Sequence, residues 1–195
     1  MQRSAMMNEA TIQKALYWRA RGANCILCIP GAMLLLDGEQ DFLQVTTSGY
    51  VHEFEIKLTR ADFKADFKKT SWGKWKKHEL LSGTVEPPWR MTNERDGILL
   101  PRMFWFVAPT GLLFAEDTPE HAGLLEFDGE KRYDPFTVAK RGRPIKGARK
   151  LTAKECRRFS RSMGIRMGDL WAHDAAPWVV ADGPAQATNN SNGVL

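Results

Sequence analysis

Between Tyr50 and Leu58 the sequence YVHEFEIKL alternates strictly. Phe54, Ile56 and Leu58 take one parity, while Glu53, Glu55 and Lys57 take the other. Successive strand side chains point to opposite faces, so this stretch commits the chain to a sheet with one apolar and one charged face. A solvated face explains the charges at no further cost. A metal site explains them too, because crowded carboxylates raise one another's pKa until a cation relieves them.

The elements around this strand are legible from periodicity and punctuation. Asn8 is placed to cap a helix running to about Arg21 and stopped by Gly22, with Ile12, Leu16 and Tyr17 or Trp18 as its buried stripe. NCILCIP reads as a first strand ended by Pro30-Gly31. DFLQVTT and YVHEFEIKL form a hairpin around Ser48-Gly49. Thr59 caps a helix beginning RADFKADFKK, in which Ala61, Phe63 and Phe67 lie at helical spacing. WGKWKKHELL resumes a helix, RMFWFVAP is a core strand with Trp105 inside, and LLEF is a last core strand after the turn TPEHAG. This order gives an α/β fold, a small mixed β-sheet flanked by helices. The expected layout is a core over 1–128 with an insertion at about 82–99, a basic linker and C-terminal helical extension over 129–180, and a disordered tail over 181–195. The basic helical region from Leu151 to Ala172 is expected to break near Gly164.

Bulk properties narrow the class. A chain of 195 residues is long enough for one domain with a real core. No apolar run approaches the roughly 18 residues of a membrane span, and the N-terminus lacks the apolar middle of a signal peptide. A cytoplasmic protein with no membrane partner is expected. Three cysteines argue against a disulfide framework. Cys25 and Cys28 form a lone CxxC, and strand residues three apart face opposite sides, so both are expected to be buried structural thiols. The net charge of +5 is concentrated in two blocks. Eight basic residues oppose two acids between Lys57 and Lys77, and eleven oppose one acid between Lys140 and Arg166. Such blocks point to a polyanion, nucleic acid before membrane.

Whether Asp41 joins the charged face depends on the hairpin register. A two-residue turn at Ser48-Gly49 pairs 47 with 50 and turns Asp41 away from Glu55. A three-residue loop, Thr47-Ser48-Gly49, pairs 46 with 50 and sets Asp41 opposite Glu55, with Gly49 in the left-handed position such loops need. In that register the two side chains are close enough to clasp one cation. Mg²⁺ suits one or two carboxylates completed by water and phosphate, and Lys57 projects beside them.

Asp41 followed by Glu55-Ile56-Lys57 on the next strand and then a helix resembles the PD-(D/E)xK nuclease pattern. The longer string EQDFLQVTTSGYVHEFEIKLTRADFKAD, with KKHELL, FWFVAPTGLL and PEHAGLLEF, is similar to the phage and bacterial MmcB-like DNA repair branch of that superfamily. The resemblance covers about residues 23–128. It implies a restriction-endonuclease-like core and a Mg²⁺- or Mn²⁺-dependent deoxyribonuclease in DNA repair, recombination or phage DNA processing. It implies Asp41 and Glu55 as metal ligands with the Ile56 carbonyl, and Lys57 as the catalytic ammonium. Glu39 and Glu53 share the parity of these residues and are further candidates for the metal site, and Glu9 is the acid available on the first helix. The pattern's proline is replaced by Gln40.

Arg60, Lys64 and Lys68 recur just after the Glu55–Lys57 strand and are candidates to hold the scissile backbone, together with Lys77 and His78. His121 has no evident partner. Trp72, Trp75 and Trp89 are candidates to stack on unpaired bases, and KRGRPIKGARK has the composition of a phosphate-binding linker. DNA is the expected partner, and a homodimer is an expected assembly. Two other readings compete: a DNA-binding accessory that keeps the fold and does not cut, and a basic α/β domain that binds another protein and shows no salt-dependent DNA affinity.

Overall fold

The computed structural model describes residues 7–35, 39–71, 75–85, 99–131 and 133–173. Helix α1 (Glu9–Arg21) starts where the Asn8 side chain accepts the Thr11 amide, and Gly22 closes it. Ile12, Leu16 and Ala20 form its buried stripe, whereas Trp18 stands half exposed. Strands β1 (Cys25–Ala32), β2 (Gln40–Thr46) and β3 (Val51–Ile56) follow as an antiparallel meander. Thr59 then caps α2 (Arg60–Asp66), accepting the Asp62 amide. A two-residue hairpin, β4 (Thr70–Ser71) with β5 (Trp75–Lys76), leads into α3 (Lys77–Ser82). The chain returns through β6 (Met103–Pro109), β7 (Ala122–Phe127) and β8 (Phe136–Lys140), and ends in α4 (Ala153–His173).

The six-stranded sheet has the order β1-β2-β3-β6-β7-β8. β3 and β6, and β6 and β7, run parallel; the other neighbours are antiparallel. This is a mixed α/β fold with helices on both faces of the sheet. On one face α1 covers Phe42, Phe54, Ile56, Val107 and Leu125. On the other, α2 and α3 pack through Phe63, Leu80 and Leu81 on Phe104, Phe106 and Leu124, while Phe159 of α4 packs on Leu43, Val45 and Val51. Glu53 and Glu55 belong to that second face, level with Phe104 and Phe106 of β6.

Six expectations are corrected. WGKWKKHELL is not helical from its start, because Trp75–Lys76 pairs with Thr70–Ser71 as β5 and the helix begins at Lys77. β1 runs through Pro30-Gly31, because a sheet-edge strand tolerates a residue that donates no hydrogen bond. A bulge between Cys25 and Leu27 alters the parity of that strand, so Cys25 and Cys28 do not face opposite sides; their Sγ atoms lie 3.1 Å apart. α2 ends at Asp66, so Lys68 sits in the turn beyond it. The stretch from 129 to 150 is no free linker: β8 completes the sheet and Ile145 is buried in the core. α4 continues unbroken through Gly164, whose surroundings are open; a lone glycine costs a helix only about 1 kcal/mol. Trp72, Trp89, most of the 82–99 insertion and the 181–195 tail lie outside the described residues, as does the Trp75 side chain.

One glycine is dictated by packing. A Cβ on Gly123 would lie 2.2 Å from the Trp105 ring, so β7 must leave that position bare for the indole on β6.

Candidate functional site

The hairpin adopts the three-residue loop. Phe42 pairs with Phe54 and Val45 with Val51, the Thr46 amide donates to the Tyr50 carbonyl, and Gly49 has φ +85°. That register sets Asp41 opposite Glu55. The strands part just there, and Asp41 Oδ2 takes the Ile56 amide at 2.6 Å. The next amide, that of Lys57, turns to β6 and donates to the Val107 carbonyl. Glu9 joins from α1: the Gln13 side chain donates both to Glu9 Oε1, at 2.8 Å, and to the Asp41 carbonyl, at 3.0 Å. Glu39 is exposed and close enough to raise the pKa of Glu9.

The charged face of β3 is not solvated. Glu53, Glu55 and Lys57 are 0%, 1% and 1% exposed. Glu55 Oε1 accepts from Lys57 at 3.0 Å and Lys69 at 2.9 Å, and Oε2 accepts from Lys77 at 3.1 Å. Lys57 Nζ also donates to Asp66 Oδ1 at 2.9 Å, and Lys69 lies 2.8 Å from the same oxygen. Asp66 Oδ2 meets His78 Nε2 at 2.8 Å, and His78 Nδ1 meets His121 Nε2 at 3.1 Å. Lys77 Nζ stands 2.6 Å from Glu53 Oε1 and 5.0 Å from the centre of the Phe104 ring. Beyond this ion pair, neither Glu53 oxygen has a hydrogen-bond partner among the described residues.

These contacts reassign several candidates. Lys77 and His78 are internal members of a buried network, because an ammonium and an imidazole this deep are held by the acids around them. Glu53 is buried against Lys77 rather than exposed. Arg60 is drawn off to the β6–β7 connection, where it donates to the Leu112 carbonyl, pairs with Asp117 and lies over Phe114. Lys64 and Lys68 project into solvent. Asp41, Glu55, Ile56 and Lys57 are brought together, with Glu9 beside them. Sequence reasoning passed over Asp66 and Lys69, and left His121 without the partner it finds in His78. Asp66 had a signal: it follows Phe63 by three positions, so it faces the sheet with it.

Electrostatics separates the acids into two groups. Burial works to raise Glu55 and Asp66, but for Glu55 the three lysines outweigh it. For Asp66, His78 and the same lysines do so, and both carboxyls stay below the usual range. Burial raises Glu53 more than Lys77 lowers it. Asp41 is pushed up to about 7, first by burial and then by Glu55, with the Ile56 amide opposing and Glu9 adding to the rise. Glu9 is raised by partial burial and by Glu39, Glu55 and Asp62. Lys77 is raised, because Glu53, Glu55 and Asp66 outweigh its burial.

His121 is pulled down to about 4 by burial, then by His78 and Lys140. A histidine depressed on folding contributes stability that is full above its unfolded pKa of about 6.5 and is lost as pH falls toward 4. Thermal unfolding should therefore shift to lower temperature over that window, and His121→Gln should weaken the shift. Identical pH profiles for the two proteins would contradict the assignment.

The site also defines what can bind. Glu9, Asp41, Glu53, Glu55 and Asp66 crowd around Lys57, Lys69 and Lys77, with Asp62 a further acid 3.9 Å from Lys57, so acids outnumber lysines in and beside the network. A carboxylate offers about four lone-pair sites; Glu55 uses three and Asp41 one. Among the described residues no three His, Cys, Asp or Glu side chains form a ready-made metal cage. Mg²⁺ commonly uses only one or two carboxylates, and the two on facing strands, Asp41 and Glu55, suit that number.

What the fold and site define is a mixed α/β protein with a buried acid–lysine network opening at Asp41. No family model matches the sequence, and no curated protein matches it. A solved structure, the SPO1766 protein of unknown function from Silicibacter pomeroyi, is similar with a TM-score of 0.49 and 15% identity, covering 91% of this chain and 93% of that one. No described helix is long and apolar enough to cross a membrane.

Proposed function

We propose that the protein is a divalent-metal-dependent hydrolase of DNA phosphodiester bonds. The observation that carries the reading is the excess of acid at the β2–β3 opening, where Asp41 faces Glu55 with Glu9 nearby and is pushed up to about 7 by burial and by these two carboxyls. Such an excess is relieved by protons or by a divalent cation. Asp41, Glu55 and the Ile56 carbonyl would hold the ion; that carbonyl shares the strand edge of its own amide, on the Asp41 side. When bound, a divalent ion polarises a phosphoryl oxygen and lowers the pKa of a coordinated water.

The chain's own residues do the rest. Lys57 Nζ donates to Glu55 and Asp66 and stands 3.9 Å from half-exposed Asp62, which leaves one of its three protons without a hydrogen bond among the described residues. That proton is free to stabilise charge on a phosphate. Asp66, itself bonded to His78, fixes the Lys57 ammonium in place. Lys64 and Lys68 on the adjoining surface would hold the DNA backbone, and the basic segment over 140–161 would extend that contact.

One observation favours a second reading, a DNA-binding accessory that does not cut. Three lysines already neutralise Glu55, and a cation must compete with them.

Calorimetry with Mg²⁺ and Mn²⁺, with and without a short DNA duplex, separates the two. Binding by the wild type that Asp41→Asn and Glu55→Gln each abolish is the expected result. Salt-dependent DNA binding without any metal uptake would select the accessory, and neither DNA nor metal binding would remove both readings.

A further inference from the structure

The CxxC at the start of β1 lies away from the acid–lysine network, against the end of α1. We propose that Cys25 and Cys28 form a thiol–disulfide exchange site that reacts with small disulfides, Cys25 attacking and Cys28 resolving. Geometry is the first support. Strand pairing matches Cys25 with Thr46 but Leu27 with Val45, so Ile26 is an extra residue that bulges out and is half exposed. The bulge restores to Cys25 and Cys28 the common side that regular alternation would deny them, and their sulfurs stand 3.1 Å apart. A disulfide bond requires about 2.05 Å, so closure asks for a movement of about 1 Å.

The two thiols are also unequal. Cys25 is partly exposed and Cys28 is 5% exposed. Cys25 is lowered to about 7, chiefly by its hydrogen bond with the Cys28 thiol against the effect of burial, and its own Sγ lies 3.1 Å from the Leu27 carbonyl, to which the thiol form donates. The same hydrogen bond, with burial, raises Cys28. The accessible sulfur is thus the better nucleophile near neutral pH, and the enclosed one keeps its proton until it is needed.

The steps balance. The Cys25 thiolate attacks one sulfur of a small disulfide, forms a mixed disulfide and releases one small thiolate. Cys28 no longer donates to a neighbouring thiolate and gives its proton to that leaving group. Its sulfur then attacks Cys25 Sγ and expels the second small thiolate, which takes a proton from water. Two protein thiols and one small disulfide become one protein disulfide and two small thiols. Cys156, on α4, serves as an internal reference.

The full chain would be incubated with oxidised glutathione as the probe, quenched in acid, alkylated and mapped by peptide mass. The expected result is an intramolecular Cys25–Cys28 disulfide, with alkylation of both falling about tenfold while Cys156 is still labelled. Cys28→Ser should accumulate a glutathione adduct on Cys25, and Cys25→Ser should leave Cys28 largely unmodified. In the untreated chain, alkylation of Cys25 should rise with pH about a midpoint near 7. Undiminished labelling of Cys25 and Cys28 in the oxidised wild type would overturn the proposal without any variant having to fold. So would an adduct in Cys28→Ser that settles on Cys156 instead.

Discussion

Lys77→Met is expected to destabilise the protein by about 3–5 kcal/mol, the usual cost of removing one partner from a buried ion pair. For a chain of this length that is a fall of about 10 °C in Tm. Lys77 is 7% exposed and is the cation nearest Glu53, which has no exposed surface and no hydrogen-bond donor among the described residues. Methionine keeps most of the stem's volume against Phe104 and removes only the charge. Glu53 is then stranded and must take up a proton to stay inside. Glu53 is already raised in the folded protein, and losing Lys77 raises it further. A raised carboxyl contributes stability that is full below its unfolded pKa of about 4.3 and is lost as pH climbs toward the folded value. The deficit of the variant should therefore be smallest in acid and largest at neutral pH. Glu53→Gln combined with Lys77→Met should recover part of the loss, the part owed to the stranded Glu53 charge; the rest stays, because Lys77 also donates to Glu55. A Tm within about a degree of wild type at neutral pH would mean that Lys77 does not hold this acid.

The network shows which parts of the molecule the sequence makes legible. Local signals were sufficient where one residue decides, as where Asn8 and Thr59 cap their helices. The hairpin register stayed open between two turns, and it is the structure, with Gly49 at φ +85°, that sets Asp41 opposite Glu55. The β3 alternation holds residue by residue. What it could not convey is that the polar parity is covered. Lys69 and Lys77 reach Glu55 from 14 and 22 residues downstream, after a helix and a small hairpin whose placement only tertiary packing decides. His78 and His121 meet across 43 residues for the same reason. The Cys25–Cys28 contact was hidden by a different mechanism, since a one-residue bulge reverses parity and leaves little trace in composition. β8 escaped because Phe136 is its only fully buried residue, so its apolar pattern is too thin to stand out in a basic stretch.

Asp41→Asn is expected to make the protein more stable above neutral pH while lowering any divalent-dependent DNA cleavage by about 10²–10³-fold, the loss seen when a principal electrostatic element of a site is removed. Both effects come from one carboxyl. Asparagine's side-chain oxygen still accepts the Ile56 amide, so the hydrogen bond at 2.6 Å has a replacement. The charge that burial and Glu55 oppose is gone, however. Asp41 is raised to about 7, so in the wild type its contribution to stability is full below the unfolded value of about 3.9 and is lost as pH rises toward 7. The variant omits that loss, and its Tm advantage should open between pH 4 and 7 and stay level above. Mg²⁺ is expected to raise the Tm of the wild type at pH 8, where Asp41 is ionised, more than at pH 5, and to leave the variant unmoved, because a ligand stabilises only the state that binds it. Increased stability joined to lost cleavage marks a residue retained for function at a cost to the fold. Stability gained with Mg²⁺ response intact would place the ion elsewhere; stability lost would show that the Asp41 carboxylate, and not merely its hydrogen bond, holds β2 to β3.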